Sequence, residues 1–213
     1  MIRKFAVASF LVFVCACSKN SPTLGPGDEN QLASAAETNC GFVSNSYGQR
    51  VSWKKNIPLT LKVYNDFPTE YLEVLNKAAA HWNDAAGMTL LMFENTGTSL
   101  AATSKDGANT LLWKQEWPEK LSKLQGVTNL YWNNNELTEA DIQINNKNFN
   151  FFTESATTPY DLHLESLLIH ELGHALGLRH QSTVPSVMWA ILNGGVKRIE
   201  ISAADRESIK CEY

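Results

Sequence analysis

Residues 170–180 read His-Glu-Leu-Gly-His-Ala-Leu-Gly-Leu-Arg-His, which is the pattern H-E-x-x-H-x-x-G-x-x-H with every fixed position present. His170 and His174 are four residues apart, so a helix places their imidazoles on one face, one turn apart. Glu171 lies beside the first imidazole, where its carboxylate can reach a water held by a metal ion. The pattern therefore predicts a metal-binding helix that carries its own general base.

The second half of the pattern supplies a third ligand. Gly177 allows the chain to leave the helix in a conformation that a side chain would disfavour, and the chain then brings back His180. Three neutral imidazoles leave one position of tetrahedral Zn²⁺ for water, which distinguishes a catalytic zinc site from a closed structural one. We therefore expect one catalytic zinc ion on His170, His174 and His180, with Glu171 as the catalytic residue.

The flanking sequence favours a long, largely buried helix from Asp161 to Leu176. Asp161 is a plausible N-cap, and Leu164, Leu168 and Leu172 recur at helical spacing. This apolar stripe is expected to pack on a sheet, while the two histidines point elsewhere.

The zinc motif resembles that of the metzincin clan of zinc endopeptidases. That clan also has a methionine-containing turn beneath the metal, and Met188 in Ser186–Trp189 is the candidate for it. Two further segments, Asp106–Trp113 and Glu139–Asn145, resemble the matrixin branch, specifically small bacterial matrixin-like peptidases. The resemblance extends from about Trp53 to the end of the chain.

This resemblance implies a metzincin-type catalytic domain that cleaves a protein or peptide substrate. It implies an upper subdomain ending at Gly177 and a small C-terminal subdomain with the Met-turn. The substrate is expected to pair with an edge strand over the cleft, formed by Ala140, Asp141, Ile142, Gln143 and Ile144. The resemblance leaves calcium sites open. A second, structural zinc is not expected, because only His81 and His163 remain outside the motif.

The remaining periodicity predicts an α+β fold with a mixed, twisted sheet. Alternation predicts a first strand at 59–64, and helical spacing predicts a helix at 70–86 that closes at Gly87. Further strands are expected at 88–93, 110–113, 127–132 and 139–145. Ser202 and Asp205 form a capping-box pattern that opens a short last helix.

The N-terminus is typical of an export signal at residues 1–16. A positive start precedes an apolar run that is too short to span a bilayer, and the run leads to Cys17. A small residue before that cysteine resembles a bacterial lipobox, so we expect Cys17 to become a lipid anchor. Residues 17–39 then form this lipidated cysteine and a flexible linker. The expectation is an exported lipoprotein of the bacterial envelope, on the periplasmic side or the cell surface. An ordinary signal peptide that leaves a secreted protein is the alternative.

Two cysteines remain for the folded domain, Cys40 and Cys211. Because an exported compartment permits disulfides, we expect the two to be bonded. The resemblance leaves a second role open for Cys40, since matrixin zymogens can be held inactive by a propeptide cysteine on the zinc. The residues around Cys40 do not match that switch.

Length and charge bound the other possibilities. Residues 40–213 suit one domain, and the chain has a formal net charge of −4 with no basic patch that would indicate nucleic-acid binding. We expect a monomer. Two other functions stay open, an inactive zinc-binding module and a metal-dependent amidase that acts on a small substrate.

Overall fold

The computed structural model of this protein describes residues 13–16, 39–97 and 105–213. The strands are β1 Phe13–Ala16, β2 Leu59–Val63, β3 Leu91–Asn95, β4 Thr110–Lys114, β5 Gly126–Asn133, β6 Glu136–Asn145, β7 Phe151–Phe152 and β8 Leu162–His163. The helices are α1 Leu72–Ala86, α2 Leu164–Ala175 and α3 Ala203–Glu212, with short 3-10 turns at Thr69–Tyr71 and Glu119–Leu121.

Six strands form one mixed sheet in the order β1-β5-β6-β4-β2-β3. Strands β3, β2, β4 and β6 are parallel to one another, whereas β5 runs antiparallel to β6, and β1 runs antiparallel to β5. Strands β7 and β8 form a separate parallel pair. The α+β class and the mixed sheet predicted from the sequence are confirmed. The sequence patterns predicted β2 to β6, whereas the two-residue strands β7 and β8 are too short for alternation to reveal.

Strand β1 comes from the segment predicted to be an export signal. Its four residues pair with Val127–Leu130 on the outer side of β5. Residues 1–12, the proposed anchor Cys17 and the linker up to residue 38 lie outside the described residues. Among the described residues, no helix is long and apolar enough to cross a membrane.

The prediction that Ala140, Asp141, Ile142, Gln143 and Ile144 form the edge strand is wrong. These residues belong to β6, which is paired on one side with β4 and on the other with β5. Both faces of β6 are also covered, because Ala140, Asp141 and Ile142 are all buried. Strand β5 lies on the side of β6 opposite to β4. The two strands form a hairpin around Asn134, whose φ of 56° allows the tight turn. Strand β5 is therefore the neighbour of β6 on its outer side, and the outer edge of β5 itself pairs with β1.

Helices α1 and α2 pack on each other and cover one face of the sheet. Trp82 of α1 is completely buried and donates its indole N–H to the carbonyl of Ile169 in α2 at 2.8 Å. Helix α1 ends at Gly87, whose φ of 73° closes the last turn as the sequence predicted. This packing fixes the metal-binding helix against the centre of the core.

Helix α2 begins later than predicted, because Asp161 is not its N-cap. The N-cap residue is His163, and it caps without a side-chain hydrogen bond. Asp161 instead accepts hydrogen bonds from the backbone and hydroxyl groups of Thr157 and Thr158, which lower the pKa of its carboxyl to about 2. The carboxylate therefore orders the loop before β8 rather than the helix.

The other end of α2 is held by residues from both ends of the folded domain. Trp53 donates its indole N–H to the carbonyl of Ala175 at 2.7 Å, and the Tyr213 hydroxyl donates to the carbonyl of Leu176 at 2.6 Å. The last carbonyls of a helix have no partner within it, so these two donors satisfy groups that would otherwise be buried and unpaired.

Asp141 is an unusual buried acid on the face of β6 away from the helices. The Thr110 hydroxyl donates to its Oδ1 at 2.6 Å, but Oδ2 is buried without a hydrogen-bond partner. Burial raises the pKa of Asp141 to about 7, and the nearby Glu139 carboxylate adds to this effect. A raised pKa means that the folded state holds this proton more tightly than the unfolded state does. The proton on Asp141 therefore stabilises the fold, and this contribution is lost as the pH rises through about 7.

Asp141→Asn is therefore expected to stabilise the fold more at pH 8 than at pH 5. The amide is uncharged at both pH values, so it avoids the cost of burying the carboxylate that Asp141 becomes above its raised pKa. Urea unfolding of a soluble form beginning at Ser18 measures the change at both pH values. The exposed Asp66 provides the control variant, Asp66→Asn. An Asp141→Asn effect that is the same at both pH values would show that this carboxyl is not the titrating group.

Candidate active site

Three histidines converge at the end of α2. His170 and His174 lie one turn apart on the helix and are almost completely buried, while His180 follows the turn at Gly177. One ligand nitrogen from each imidazole lies within 4.8 Å of the others. The structure thus brings together the three residues that the spacing predicted as metal ligands.

Backbone carbonyls set the tautomers of the two helical histidines. The Nδ1 atom of His170 lies 2.8 Å from the carbonyl of Val187, and that of His174 lies 2.7 Å from the carbonyl of Leu178. A carbonyl can only accept, so each Nδ1 carries the proton and each Nε2 is left as a lone-pair donor. The two Nε2 atoms are 3.0 Å apart. Two nitrogens on one tetrahedral zinc are about 3.3 Å apart, so this donor set fits the ion.

All three imidazoles are neutral at physiological pH. Burial lowers the pKa of His170 well below its usual value, that of His174 to about 3 and that of His180 to about 4. The positive charge of Arg198 also lowers the pKa of His170 and His180. Because a metal ligand must be unprotonated, the environment keeps the cluster ready to bind a cation.

The glycine at 177 is required by both its conformation and its surroundings. Its φ of 103° is disfavoured for other residues, and a Cβ there would lie 3.0 Å from the Phe42 ring and from the Val51 carbonyl. The turn therefore brings the chain directly against the segment that follows Cys40, and His180 emerges from it.

Met188 lies beneath the cluster, against the metal-binding helix. A Cβ on Gly173 would collide with the Met188 sulfur and would lie 2.8 Å from the Trp82 ring, so only glycine fits at that helix position. The backbone N–H of Gln181 donates to the Met188 carbonyl at 3.0 Å, which ties the methionine to the segment just after the third histidine. This placement agrees with the Met-turn expected from the resemblance.

Asp205 is a site residue whose role the sequence did not reveal. Its carboxylate completes the predicted capping box with Ser202, and it also accepts from the Ser186 hydroxyl and from the Val187 N–H at 3.0 Å. Helix α3 therefore fixes the turn that carries Met188. The S-x-x-D pattern was visible, but the second set of contacts joins residues 19 apart in the chain and has no local signature.

Glu171 is completely buried on α2 and faces β5, which lies next to this helix. The Thr128 hydroxyl donates to its Oε2 at 2.7 Å. The candidate base therefore lies on the helix that carries His170 and His174, and it faces the strand whose outer edge pairs with β1. This position places an acid–base group beside an edge on which an extended chain can lie.

Cys40 and Cys211 form a disulfide, with their Cα atoms 6.1 Å apart. This finding rules out a free Cys40 thiolate on the metal, the alternative that the resemblance had left open. The bonded segment pairs with the turn before the third histidine: Val43 donates to the Gly177 carbonyl and Arg179 donates to the Gly41 carbonyl, both at 2.9 Å. The disulfide thus anchors the segment Gly41–Val43, which contacts the turn before His180.

The other two histidines form separate contacts. His81 lies 2.9 Å from the Glu165 carboxylate. His163 is buried between the Ser166 hydroxyl at 2.8 Å and the Thr153 carbonyl at 3.1 Å, and burial lowers its pKa. Both are satisfied by protein partners, and neither joins the cluster of three among the described residues.

Comparison with known proteins agrees with this geometry. The family model described as matrixin matches residues 52–213. Metalloendoproteinase 5-MMP of Arabidopsis thaliana is 24% identical over 172 residues, covering 75% of this chain and 44% of the relative. Metalloendoproteinase 2-MMP of the same plant is 37% identical over 59 residues, covering 28% of this chain and 15% of the relative. The chain thus spans less than half the length of these relatives.

Proposed function

Because this chain belongs to the matrixin family, we propose that it is a zinc-dependent endopeptidase that hydrolyses internal peptide bonds of proteins. One observation carries the proposal. The Nε2 lone pairs of His170 and His174 converge with His180 beside the buried carboxylate of Glu171. A metal site with an adjacent general base is the arrangement that peptide hydrolysis requires.

The residues have distinct roles in this reaction. His170, His174 and His180 would hold the zinc ion, which would supply a Lewis acid that polarises the scissile carbonyl and lowers the pKa of water to about 7. Glu171 accepts the proton of the attacking water and passes it to the nitrogen of the leaving amine. Met188 shapes the floor beneath the three imidazoles without exchanging protons.

We assign substrate binding to β5. An extended peptide adds to an exposed sheet edge through backbone hydrogen bonds, with side chains alternating between pockets. The pairing of β1 with Val127–Leu130 supports this assignment, because it occupies the outer edge of β5 in an antiparallel direction. Cleavage of the export signal before Cys17 would remove β1 and leave that edge open to a substrate.

The location of the protein is also part of the proposal. Export and lipid attachment at Cys17 would tether a monomeric domain to the bacterial envelope through residues 18–39. Metabolic labelling with a palmitate analogue tests the anchor, since wild type should be labelled and Cys17→Ala should not. Secretion of an unlabelled wild-type protein would favour the ordinary signal peptide.

Removal of the metal is expected to abolish cleavage and zinc to restore it. Without the ion, the cluster retains only neutral imidazoles, which cannot polarise a carbonyl. The test is casein hydrolysis by a form beginning at Ser18, before and after dialysis against a chelator, and again after one equivalent of zinc. Elemental analysis should give one zinc per chain in the active state.

Other outcomes favour other functions. A zinc-loaded protein that cleaves neither casein nor a peptide library would contradict the endopeptidase and favour a zinc-binding module. Hydrolysis of small amides alone, without peptides, would favour an amidase.

A further inference from the structure

Strand β5 contacts the carboxylate of Glu171 at two neighbouring positions on one face. Thr128 and Gly126 are two residues apart, so both point toward α2. Thr128 is completely buried, and its hydroxyl lies 2.7 Å from Glu171 Oε2 but 3.3 Å from the Glu171 backbone carbonyl. The shorter contact is the one with the charged acceptor, which is also the stronger kind of hydrogen bond.

Gly126 is required here by space. Its φ does not fall in the left-handed region, so any residue could adopt its backbone conformation. A Cβ at this position would nevertheless lie 2.5 Å from Glu171 Oε1 and 2.8 Å from Cδ. The carboxylate therefore occupies the volume that a side chain at residue 126 would fill.

Together these contacts constrain the rotation of a side chain with several free torsions. One carboxylate oxygen is held by a hydroxyl, while the other lies where the strand has no side chain. A general base must be within hydrogen-bond distance of the proton that it removes, and its efficiency depends on that geometry. A hydroxyl that contributes only to sheet stability would not need to approach this carboxylate.

We propose that β5 positions the general base, with Thr128 as a positioning residue and Gly126 as the position that must lack a side chain. This inference rests on the proposed endopeptidase function. It adds a second role to the strand, since the strand that pairs with the substrate backbone along Val127–Leu130 also sets the direction of the Glu171 carboxylate. The scissile bond and its base are then aligned by the same strand.

The first test compares Thr128→Val, Thr128→Ser and Gly126→Ala, with Thr138→Val as the control. Thr138 is an exposed threonine of the same hairpin.

Thr128→Val is expected to lower kcat about ten- to a hundredfold with KM changed less than about twofold. Thr128→Ser retains the hydroxyl and should stay within about threefold of wild type. Gly126→Ala should lower kcat at least as much as Thr128→Val, because it displaces the carboxylate. All four should bind one zinc per chain, and Thr138→Val should unfold at the wild-type urea concentration within about 0.5 M.

The second test does not depend on turnover. Zinc-loaded wild type and Thr128→Val are titrated with a peptide hydroxamate, whose acidic oxygen can share a proton with a nearby carboxylate, and with the matching peptide thiol, which offers no such oxygen. Loss of hydroxamate affinity with unchanged thiol affinity supports the proposal.

Several results would overturn the positioning role. Unchanged kcat and hydroxamate affinity in Thr128→Val would do so, as would equal losses in Thr128→Ser, or losses of zinc and stability in parallel with activity. A wild type that binds zinc and both ligands but cleaves nothing would reject the endopeptidase instead, and the hydroxamate comparison would still decide the role of Thr128.

Discussion

Glu171→Gln is expected to bind zinc as wild type does and to lose about 10²- to 10⁴-fold in kcat. Glutamine is nearly the same size, and its amide oxygen can still accept a hydrogen bond from the Thr128 hydroxyl, so the fold around β5 should not change. The amide cannot take a proton from the attacking water, however. The two helical histidines would be unaffected, because the tautomers of His170 and His174 are set by the carbonyls of Val187 and Leu178.

The measurement is single-substrate kinetics beside zinc analysis and urea unfolding. Glu165→Gln is the matched control on the same helix, since Glu165 contacts His81 and lies outside the cluster. Cleavage by Glu171→Gln at a rate close to wild type would disprove the assignment of the base. A variant that loses zinc would make the activity loss uninformative about proton transfer, and Glu171→Asp would then be compared under saturating zinc.

Removal of the Cys40–Cys211 disulfide is expected to cost about 3–5 kcal/mol of unfolding free energy. The bond closes a loop of 171 residues, so breaking it releases a large amount of chain entropy in the unfolded state. It should also weaken zinc binding, because the segment Gly41–Val43 that holds the Gly177 turn would lose its covalent anchor. The double variant Cys40→Ser/Cys211→Ser avoids a reactive single thiol.

Urea unfolding and a chelator competition for zinc, each run on oxidised wild type and on the double variant, measure the two effects. Wild type treated with a reductant should behave like the variant, whereas the reductant should leave the variant unchanged. Lower stability with unaltered zinc affinity would show that the segment Gly41–Val43 holds the His180 turn without its covalent anchor.

The local features of the site were predictable because they lie within one turn of helix or one tight bend. The spacing of His170 and His174 is a property of the helix, and the positive φ of Gly177 is a property of the residue. Which strand borders the proposed substrate cleft could not be predicted from such local features. Both β5 and β6 show acceptable strand patterns, and which of them lies inside the sheet depends on which one pairs with β4, a contact between residues such as Thr110 and Asp141 that has no local signature.

The capping errors have a similar cause. Asp161 precedes an apolar periodic stretch and has the correct chemistry for an N-cap, but two threonines just before it compete for the same carboxylate. Asp205 was recognised by its local role in α3, while its contacts with Ser186 and Val187 depend on how α3 packs. Sequence patterns therefore identified the residues of the proposed chemistry better than those that position them.

The disulfide has a further consequence for a protein that is proposed to cut peptide chains. Because Cys40 and Cys211 are joined, a single cut in any loop between them leaves two fragments that remain one covalent molecule. Such a self-nicked molecule would migrate near the intact size without a reductant and would separate only when the bond is reduced. Cleavage of the chain by its own activity would thus not be detected by size without a reductant. A nicked molecule would also keep His180 near His170 and His174.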